Sequence, residues 1–179
     1  MRIGVFADSH DHVDNVRHAV AEFNRRECEL VIFAGDFVST LILPQLRALK
    51  CRIVGCFGDN EGNKIGMQSG FRILGTLGEP PLCFRAPDGT RVVVTHQFQL
   101  LNNDYAGCDL VVFAHTHRPY VKQLEDGPLL VNPGETSGWT YRQPSIAIVE
   151  TAPLSAEIVR LPDMPPAPPR EINRSGRYR

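Results

Sequence analysis

The sequence has no excess of charge of either sign, because 19 basic and 20 acidic residues leave a formal net charge of −1. It therefore lacks the positive character that general nucleic-acid and membrane-surface binders use, and neither a nucleic acid nor a membrane is favoured as a partner. No segment approaches the run of ~20 apolar residues that crossing a bilayer requires. The composition predicts an ordinary soluble globular protein.

The cysteines show no paired pattern. Their number is odd, they are scattered, and none forms a CxxC pair: Cys28, Cys51, Cys56, Cys83 and Cys108. This favours free thiols over a disulfide framework. The opening stretch "MRIGVFADSH" has too short an apolar segment for a secretory signal and reaches Asp8 almost at once. We therefore expect a cytoplasmic location.

The length of 179 residues favours one domain with a substantial core. From residue 162 the chain changes character, with five prolines among eight residues followed by basic and polar ones. Such a stretch has too little apolar surface to pack. We expect a single domain over residues 1–161 and a Pro-rich, basic, mobile tail over 162–179.

The first half of the chain alternates between strand and helix patterns. Short apolar runs over 2–7, 30–35 and 51–58 indicate strands, and the helical spacing of apolar residues over 11–27 and 39–49 indicates two helices. This order predicts a parallel, right-handed α/β unit.

The second half is rich in strands. Asp88-Gly89 marks a predicted hairpin turn, 110–114 indicates another strand, and 120–134 and 145–161 have strand–turn–strand patterns. An α/β half joined to a strand-rich half predicts an α/β protein with two facing sheets flanked by helices.

Each candidate strand ends in side chains that bind cations. They are Asp8 and His10, Asp36, Asp59 or Asn60, His96, and His115 with His117. Ligands collect beyond the carboxyl ends of parallel strands. Helix capping or a simple turn explains the acidic groups singly, but gives no reason for histidines at three strand exits. The pattern predicts a metal site with too many donors for one tetrahedral ion, and therefore two ions.

These motifs resemble those of the calcineurin-like metallophosphoesterases. The resemblance rests on Asp8-x-His10, Gly35-Asp36, Gly58-Asp59-Asn60-Glu61, Thr95-His96 and Ala114-His115-Thr116-His117, in order and at suitable spacing. Asn132-Pro133-Gly134 narrows it to the small single-domain bacterial and archaeal phosphodiesterase branch. The resemblance implies a four-layer α/β/β/α sandwich of two mixed sheets flanked by helices.

The resemblance also implies the ligand sets and the reaction. One ion would be held by Asp8, His10, Asp36 and His117, and the other by Asp36, Asp59, His96 and His115, with Asp36 as the bridging carboxylate. Mixed imidazole and carboxylate donors suit Mn, which we favour, and also Ni, Fe, Co or Zn. A bridging hydroxide would attack the phosphorus of a small phosphoester in line with the leaving oxygen.

Three positions depart from the family pattern. Asp59 stands where Asn is usual, which adds a carboxylate, and Asn60 is the alternative ligand and a candidate phosphate contact. Asn60 also replaces the histidine that protonates the leaving group in distant relatives, and an amide cannot be a general acid. His12 is a candidate substitute. Ala114 replaces a glycine, and Gln97 replaces a second histidine.

The substrate is less constrained by the sequence. No inserted cap is visible, and the branch resemblance favours diesters over monoesters. The stretch "NPGETSGWTYRQP" offers Trp139, Tyr141 or Arg142 to a base or phosphate, with Arg142 as our candidate substrate contact, or it forms a turn with one packed aromatic. Two alternative functions remain: a non-catalytic interaction scaffold, as in the retromer subunit that resembles these enzymes, and a nuclease. A homo-oligomer is an alternative to a monomer.

Overall fold

Two mixed β-sheets stacked face to face form the centre of the fold, with helices against one outer face. This computed structural model describes residues 1–162, so the predicted tail lies outside the described residues apart from its first one. The strands are β1 (Arg2–Phe6), β2 (Leu30–Ala34), β3 (Arg52–Cys56), β4 (Gly75–Gly78), β5 (Leu82–Arg85), β6 (Arg91–Val94), β7 (Leu110–Val112), β8 (Pro119–Gln123), β9 (Leu129–Pro133), β10 (Ser145–Thr151) and β11 (Leu154–Arg160).

Three α-helices and two 3₁₀ helices connect the strands. The α-helices are α1 (Val13–Arg25), α2 (Leu43–Leu46) and α3 (Lys64–Phe71), and the 3₁₀ helices are Thr40–Ile42 and Phe98–Leu101. Within residues 1–162, none of these helices is both long and apolar enough to span a membrane.

The first sheet has the strand order β11-β10-β1-β2-β3-β4. Its strands β1 to β4 are parallel, and β10 pairs antiparallel with both β1 and β11. All five residues of β2 are buried. Such a continuous apolar run is typical of a strand covered on both faces, and it confirms the predicted α/β half.

The second sheet has the strand order β5-β6-β7-β9-β8. Strands β6, β7 and β9 are parallel, while β5 and β8 pair antiparallel at the two edges. The predicted hairpin between β5 and β6 is present. Gly89 has a φ of +94° in its turn, which a residue without Cβ adopts at no steric cost.

Alternating side chains divide the core into three apolar layers. In β2, Ile32 faces the second sheet, whereas Phe33 faces the helices on the outer side. In β6, Val92 faces the first sheet, whereas Val93 faces outward. The outer face of the second sheet is covered by the 3₁₀ helix Phe98–Leu101 and the loop that follows it. The layer order is that of the predicted four-layer sandwich.

Two local predictions differ from the structure. The predicted helix over 39–49 is instead the 3₁₀ helix Thr40–Ile42 followed by the single turn of α2. Pro44 lies in the first turn of α2 and has no backbone N–H to donate to Thr40 O, so it interrupts a helix that would run continuously from residue 40. Helix α3 and strand β4 were not predicted. Gly66 and Gly70 interrupt the apolar spacing of α3, and β4 has the sequence GTLG with glycine at both ends.

The strand directions decide where functional side chains meet. Strands β1, β2 and β3 of the first sheet run parallel, as do β6 and β7 of the second sheet. Backbone hydrogen bonds between the ends of these strands, such as Asp8 N to Gly35 O at 3.0 Å and Ala114 N to His96 O at 2.9 Å, keep the following loops together. The carboxyl ends therefore form one rim across both sheets.

The aromatic cluster beneath this rim generates a stability prediction. Phe33 is fully buried, and its ring centroid lies 3.5 Å from that of Phe37 and 4.4 Å from that of Phe6. We expect Phe33→Ala to lower the free energy of unfolding by about 3–5 kcal/mol in urea denaturation, because it removes a ring and leaves a cavity. Leu41→Ala, at a 61% exposed side chain, should change it by less than about 0.5 kcal/mol. Equal, small losses in both variants would contradict the prediction.

Candidate metal centre

The structure brings all seven predicted ligands to the rim. Asp8 and His10 follow β1, Asp36 follows β2, Asp59 follows β3, His96 follows β6, and His115 and His117 follow β7. Asp8, Asp36 and His96 are buried, whereas the side chains of Asp59 and His115 are partly open to solvent. The centre therefore has a buried floor and an accessible mouth.

The first group of donor atoms comes from Asp8, His10 and His117, which lie within 4.8 Å of one another. The Nε2 atoms of His10 and His117 are 3.4 Å apart, and His117 Nε2 is 3.7 Å from Asp8 Oδ1. The two imidazole rings are stacked, with centroids 5.1 Å apart. Two imidazole nitrogens and a carboxylate oxygen converge here on one point.

The second group comes from Asp59, His96 and His115. Asp59 Oδ1 lies 2.9 Å from His96 Nε2 and 3.2 Å from His115 Nδ1. Each histidine of the His115-Thr116-His117 motif thus belongs to a different group.

Asp36 lies between the two groups. Its Oδ2 is 3.5 Å from His10 Nε2 in the first group and 3.4 Å from His96 Nε2 in the second. Asn60 holds this carboxylate from the other side, since its backbone N–H donates to Oδ1 at 3.0 Å and its side-chain amide donates to Oδ2 at 2.8 Å. These contacts hold the pKa of Asp36 well below its usual range despite burial.

The surroundings of the Asp8 carboxylate indicate whether the centre suits a cation. Both of its carboxylate oxygens are buried and have no hydrogen-bond partner within residues 1–162. Burial raises the pKa of Asp8 to about 7, even though His96 and His117 attract the charged form. Since a buried carboxylate without partners is strongly unfavourable, a cation beside these oxygens would stabilise it. The donor set therefore fits a metal ion.

The histidine tautomers fit a metal as well. His96 Nδ1 donates to Ala34 O at 2.7 Å and His117 Nδ1 donates to Glu135 Oε2 at 2.8 Å, so each neutral ring offers its Nε2 lone pair to the centre. Burial disfavours the charged form of His96, but the facing Asp36 carboxylate outweighs it and raises the pKa of His96 to about 9, so a metal ion at Nε2 would displace the proton that the ring otherwise holds there. Bonds of this kind orient metal-binding imidazoles.

The ligand loops adopt an unusual backbone conformation. Five of the seven predicted ligands have left-handed φ values, namely Asp8 (+49°), His10 (+38°), Asp36 (+63°), His115 (+68°) and His117 (+60°). Residues other than glycine adopt this region at a cost, and such strain concentrates at functional sites. The surrounding structure must therefore hold these loops in place.

Glu61 holds two of these loops, although the sequence analysis assigned it no role. Its carboxylate accepts hydrogen bonds from the backbone N–H groups of Asp36 (2.9 Å), Phe37 (3.2 Å), Val38 (3.0 Å) and Gly58 (2.9 Å). Four donors on one carboxylate fix the loop after β2 against the loop after β3. The side chain that does this follows Asp59 by two residues but acts on the backbone around Asp36.

Glu135 is the second positioning residue that the sequence analysis missed. It is fully buried, bonds to His117 Nδ1, and also accepts from the backbone N–H groups of Thr140 at 2.9 Å and Tyr141 at 2.5 Å. Burial opposes its charge, but the hydrogen bond from His117 and those from the two amides lower the pKa of Glu135. Nothing in the sequence around Glu135, which follows Asn132-Pro133-Gly134, predicts its contact with His117.

The other three predicted site residues lie around the centre. Asn60 points its amide at Asp36 rather than at open space. His12 caps helix α1, with its Nδ1 accepting from Asn15 N at 3.3 Å, and its ring lies 4.6 Å from that of Trp139. Arg142 is exposed on the loop after β9 and lines a cavity together with His12.

Comparison with protein families agrees with this arrangement. A model of the calcineurin-like phosphoesterase superfamily domain matches residues 1–153, which is most of the chain. The chain belongs to this superfamily. The metal-binding chemistry of the family fits the donors gathered at the rim.

Individual relatives extend the comparison. A phosphodiesterase of Methanocaldococcus jannaschii is 28% identical over 160 residues, covering 84% of this chain and 93% of the relative. A protein of Methanothermobacter thermautotrophicus named a probable metallophosphoesterase is 31% identical over 173 residues, covering 89% of this chain and 92% of the relative. The solved structure of an archaeal phosphodiesterase aligns with a TM-score of 0.83 at 27% identity, covering 90% of this chain and 100% of that one.

The contact between Glu135 and His117 generates a prediction for metal affinity. We expect Glu135→Gln, which keeps the side-chain volume, to weaken Mn²⁺ binding by about 10–100-fold in isothermal titration calorimetry. The reason is that an amide orients the His117 ring less strongly than a carboxylate. The matched control is Glu125→Gln, at an exposed position of the loop between β8 and β9, which should bind Mn²⁺ like the parent. Unchanged affinity in both variants would rule out a positioning role for Glu135.

Proposed function

We propose that this phosphoesterase is a phosphodiesterase that uses two divalent metal ions. The observation that carries the proposal is the position of Asp36. Its Oδ2 lies 3.5 Å from His10 Nε2 and 3.4 Å from His96 Nε2, and Asp36 also forms a third donor group with Asp8 and His96 that joins the first two. A carboxylate in this position can serve two ions at once.

The proposed ligand sets follow the two groups. Asp8, His10, Asp36 and His117 hold one ion, and Asp36, Asp59, His96 and His115 hold the other. Held by these residues, two such ions would supply stabilisation of the negative charge on the phosphoryl oxygens and would lower the pKa of a water, which would provide a hydroxide for in-line attack on phosphorus. Mn is the favoured metal, with Ni, Fe, Co and Zn as the other candidates for mixed nitrogen and oxygen donors.

The contacts of Asp59 and Asn60 support Asp59 as the ligand. Asp59 Oδ1 lies beside His96 and His115, whereas the Asn60 amide is engaged with Asp36. In this role Asn60 orients the shared carboxylate. A contact between Asn60 and phosphate would draw on its second amide hydrogen.

The hydroxyl groups near the centre support water rather than a side chain as the nucleophile. Ser9 Oγ donates to the carbonyl of Asp36 at 3.3 Å, and Thr116 Oγ1 accepts from Asn132 Nδ2 at 3.1 Å. Within residues 1–162, neither hydroxyl is hydrogen-bonded to a histidine or carboxylate side chain that would act as its base. An activated nucleophile needs such a partner. The Thr140 hydroxyl lies 3.1 Å from His117 Nδ1, but that nitrogen donates its proton to Glu135 and so is not free to act as a base.

His12 and Asn60 are the two residues considered as proton donors to the leaving group. His12 is the candidate acid, and because its Nδ1 accepts from Asn15 N, the neutral ring carries its proton on Nε2. Asn60 cannot donate a proton in this way. Esters with good leaving groups, such as aryl phosphodiesters, are therefore the preferred substrates, and Arg142 is the proposed contact to the remainder of the substrate.

The central test is metal-dependent hydrolysis of bis(p-nitrophenyl) phosphate. We expect turnover with Mn²⁺ that a chelator abolishes. Asp36→Ala and His117→Ala should each lower kcat by roughly a hundredfold or more, because removing a ligand costs more than the 10–100-fold typical of a supporting residue. His18→Ala is the matched control, since His18 lies on α1 and lines a different cavity.

Several results would count against the proposal. Full metal-dependent turnover in both Asp36→Ala and His117→Ala would mean that the proposed site is wrong. Tight Mn²⁺ binding without hydrolysis of any phosphoester would favour the interaction scaffold, and cleavage of DNA in preference to small diesters would favour the nuclease. A cytoplasmic location and the oligomeric state stay predictions from the sequence.

Asp59 provides a second prediction. We expect Asp59→Asn to retain activity with an altered order of preference among Mn, Ni, Fe, Co and Zn, because the amide keeps an oxygen donor but removes one negative charge. The measurement is kcat/KM for bis(p-nitrophenyl) phosphate with each metal in turn. Complete loss of turnover in Asp59→Asn would contradict the assignment of residue 59 as an exchangeable ligand.

A further inference from the structure

A cavity of about 430 Å³ lies beside the candidate metal centre and has no role in the ligand scheme. It is lined by His12, Asn15, Ser137, Gly138, Trp139, Arg142 and Pro144, and we call it the Trp139 cavity. The indole N–H of Trp139 donates to the backbone carbonyl of His10 at 3.3 Å. One wall of the cavity is therefore fixed directly to a ligand residue.

Trp139 presents an unusual amount of aromatic surface. Its side chain is 63% exposed, although the ring is anchored by its N–H and lies 4.6 Å from the His12 ring. A tryptophan held at its edge and open on its face is suited to stacking against a flat ring. The sequence offered a turn with one packed aromatic as one interpretation of this stretch, and Trp139 contacts the His12 ring while most of its surface stays exposed.

The remaining walls are polar. Asn15 is 2% exposed, its amide N–H donates to Ser137 O at 3.0 Å, and its Oδ1 has no hydrogen-bond partner within residues 1–162. A buried acceptor without a partner is costly, and a ligand N–H would relieve it. Arg142 supplies a guanidinium to the same cavity. An alkyl chain could not hydrogen-bond to Asn15 Oδ1 or to the Arg142 guanidinium. A heteroaromatic ring could offer an N–H group to the first and a C=O group to the second.

The loop that carries Trp139 is the loop that orients His117. Glu135 bonds to His117 and accepts from the backbone of Thr140, and the Thr140 hydroxyl lies 3.1 Å from His117 Nδ1. Gly138 has a φ of +68° and lies against Pro144, where a Cβ would be 3.0 Å from the proline ring. The indole and the metal ligand are thus held by one rigid turn.

We propose that the Trp139 cavity binds the heteroaromatic base of a nucleotide phosphodiester, with the base stacked on Trp139 and the ester phosphorus at the metal centre. This inference rests on the proposed phosphodiesterase function and names its substrate class. The apolar groove lined by Phe98, Phe113, Tyr120 and Tyr141 is the competing position for a substituent. The unpartnered Oδ1 of Asn15 and the hydrogen bond from Trp139 to His10 favour the Trp139 cavity.

Binding can be measured without activity because Trp139 is the single tryptophan of the chain. We expect adenosine 5′-monophosphate to quench its fluorescence saturably in the Mn²⁺-loaded protein, whereas ribose 5-phosphate, with the same phosphate but no base, should not. Saturable quenching by the sugar phosphate as well, or no quenching by the nucleotide, would overturn the inference. This readout is independent of whether the protein hydrolyses diesters.

Kinetics with two diesters that share a leaving group provide the second test. For thymidine 5′-(p-nitrophenyl phosphate), Trp139→Ala should lower kcat/KM about tenfold, in line with the loss of one base-stacking contact. For methyl p-nitrophenyl phosphate the same variant should stay within about twofold of the parent. Trp139→Phe, which keeps a flat ring, should retain most of the activity toward the thymidine ester.

Tyr120→Ala is the matched control, because Tyr120 is a 43% exposed aromatic in the competing groove. A selective loss for the thymidine ester in this variant would move the base to that groove. Equal losses for both esters in Trp139→Ala would mean that the indole only supports His10. If the parent hydrolyses neither ester while nucleotide quenching persists, the proposed function fails and the binding site stands.

Discussion

The buried carboxylate of Asp36, which lies between the two donor groups, is the group on which the rest of the candidate centre depends. It faces His10 on one side and His96 on the other, and it is held by Asn60 and, through its backbone, by Glu61. A carboxylate that is buried and restrained from every direction keeps its charge and position whatever approaches from solvent. The spacing between the two donor groups is therefore set by the fold rather than by the metals.

Two glutamates outside the proposed ligand sets support the centre. Glu61 organises backbone amides of two loops, and Glu135 combines the orientation of His117 with that of the turn bearing Trp139. The proposed metal centre and the proposed base site would therefore share one support. The hydrogen bonds of Glu61 and Glu135 also hold the strained backbone of the loops in place.

The strands that lead to the candidate metal centre, and the residues that follow them, could be predicted from the sequence. The apolar runs of β1, β2 and β7 stop at Asp8, Asp36 and His115, and parallel strands bring such ends to one edge. Glu61 and Glu135 could not be found in the same way, since they act through contacts spanning 25 and 18 residues that have no period. Pro44 misled the helix prediction because the apolar spacing continues across a residue that breaks the helix.

The two ends of the described chain meet at the centre. Strand β10 pairs with β1, and the amides of Thr136 and Ser137 donate to the carbonyls of Ala7 and Asp8 at 2.9 and 3.1 Å. During synthesis β2 emerges soon after β1 and can cover one of its edges, whereas the other edge has no partner until β10 has been made. The loop that carries Asp8 therefore reaches its final form only once Thr136 and Ser137 are in place, close to the end of the described chain.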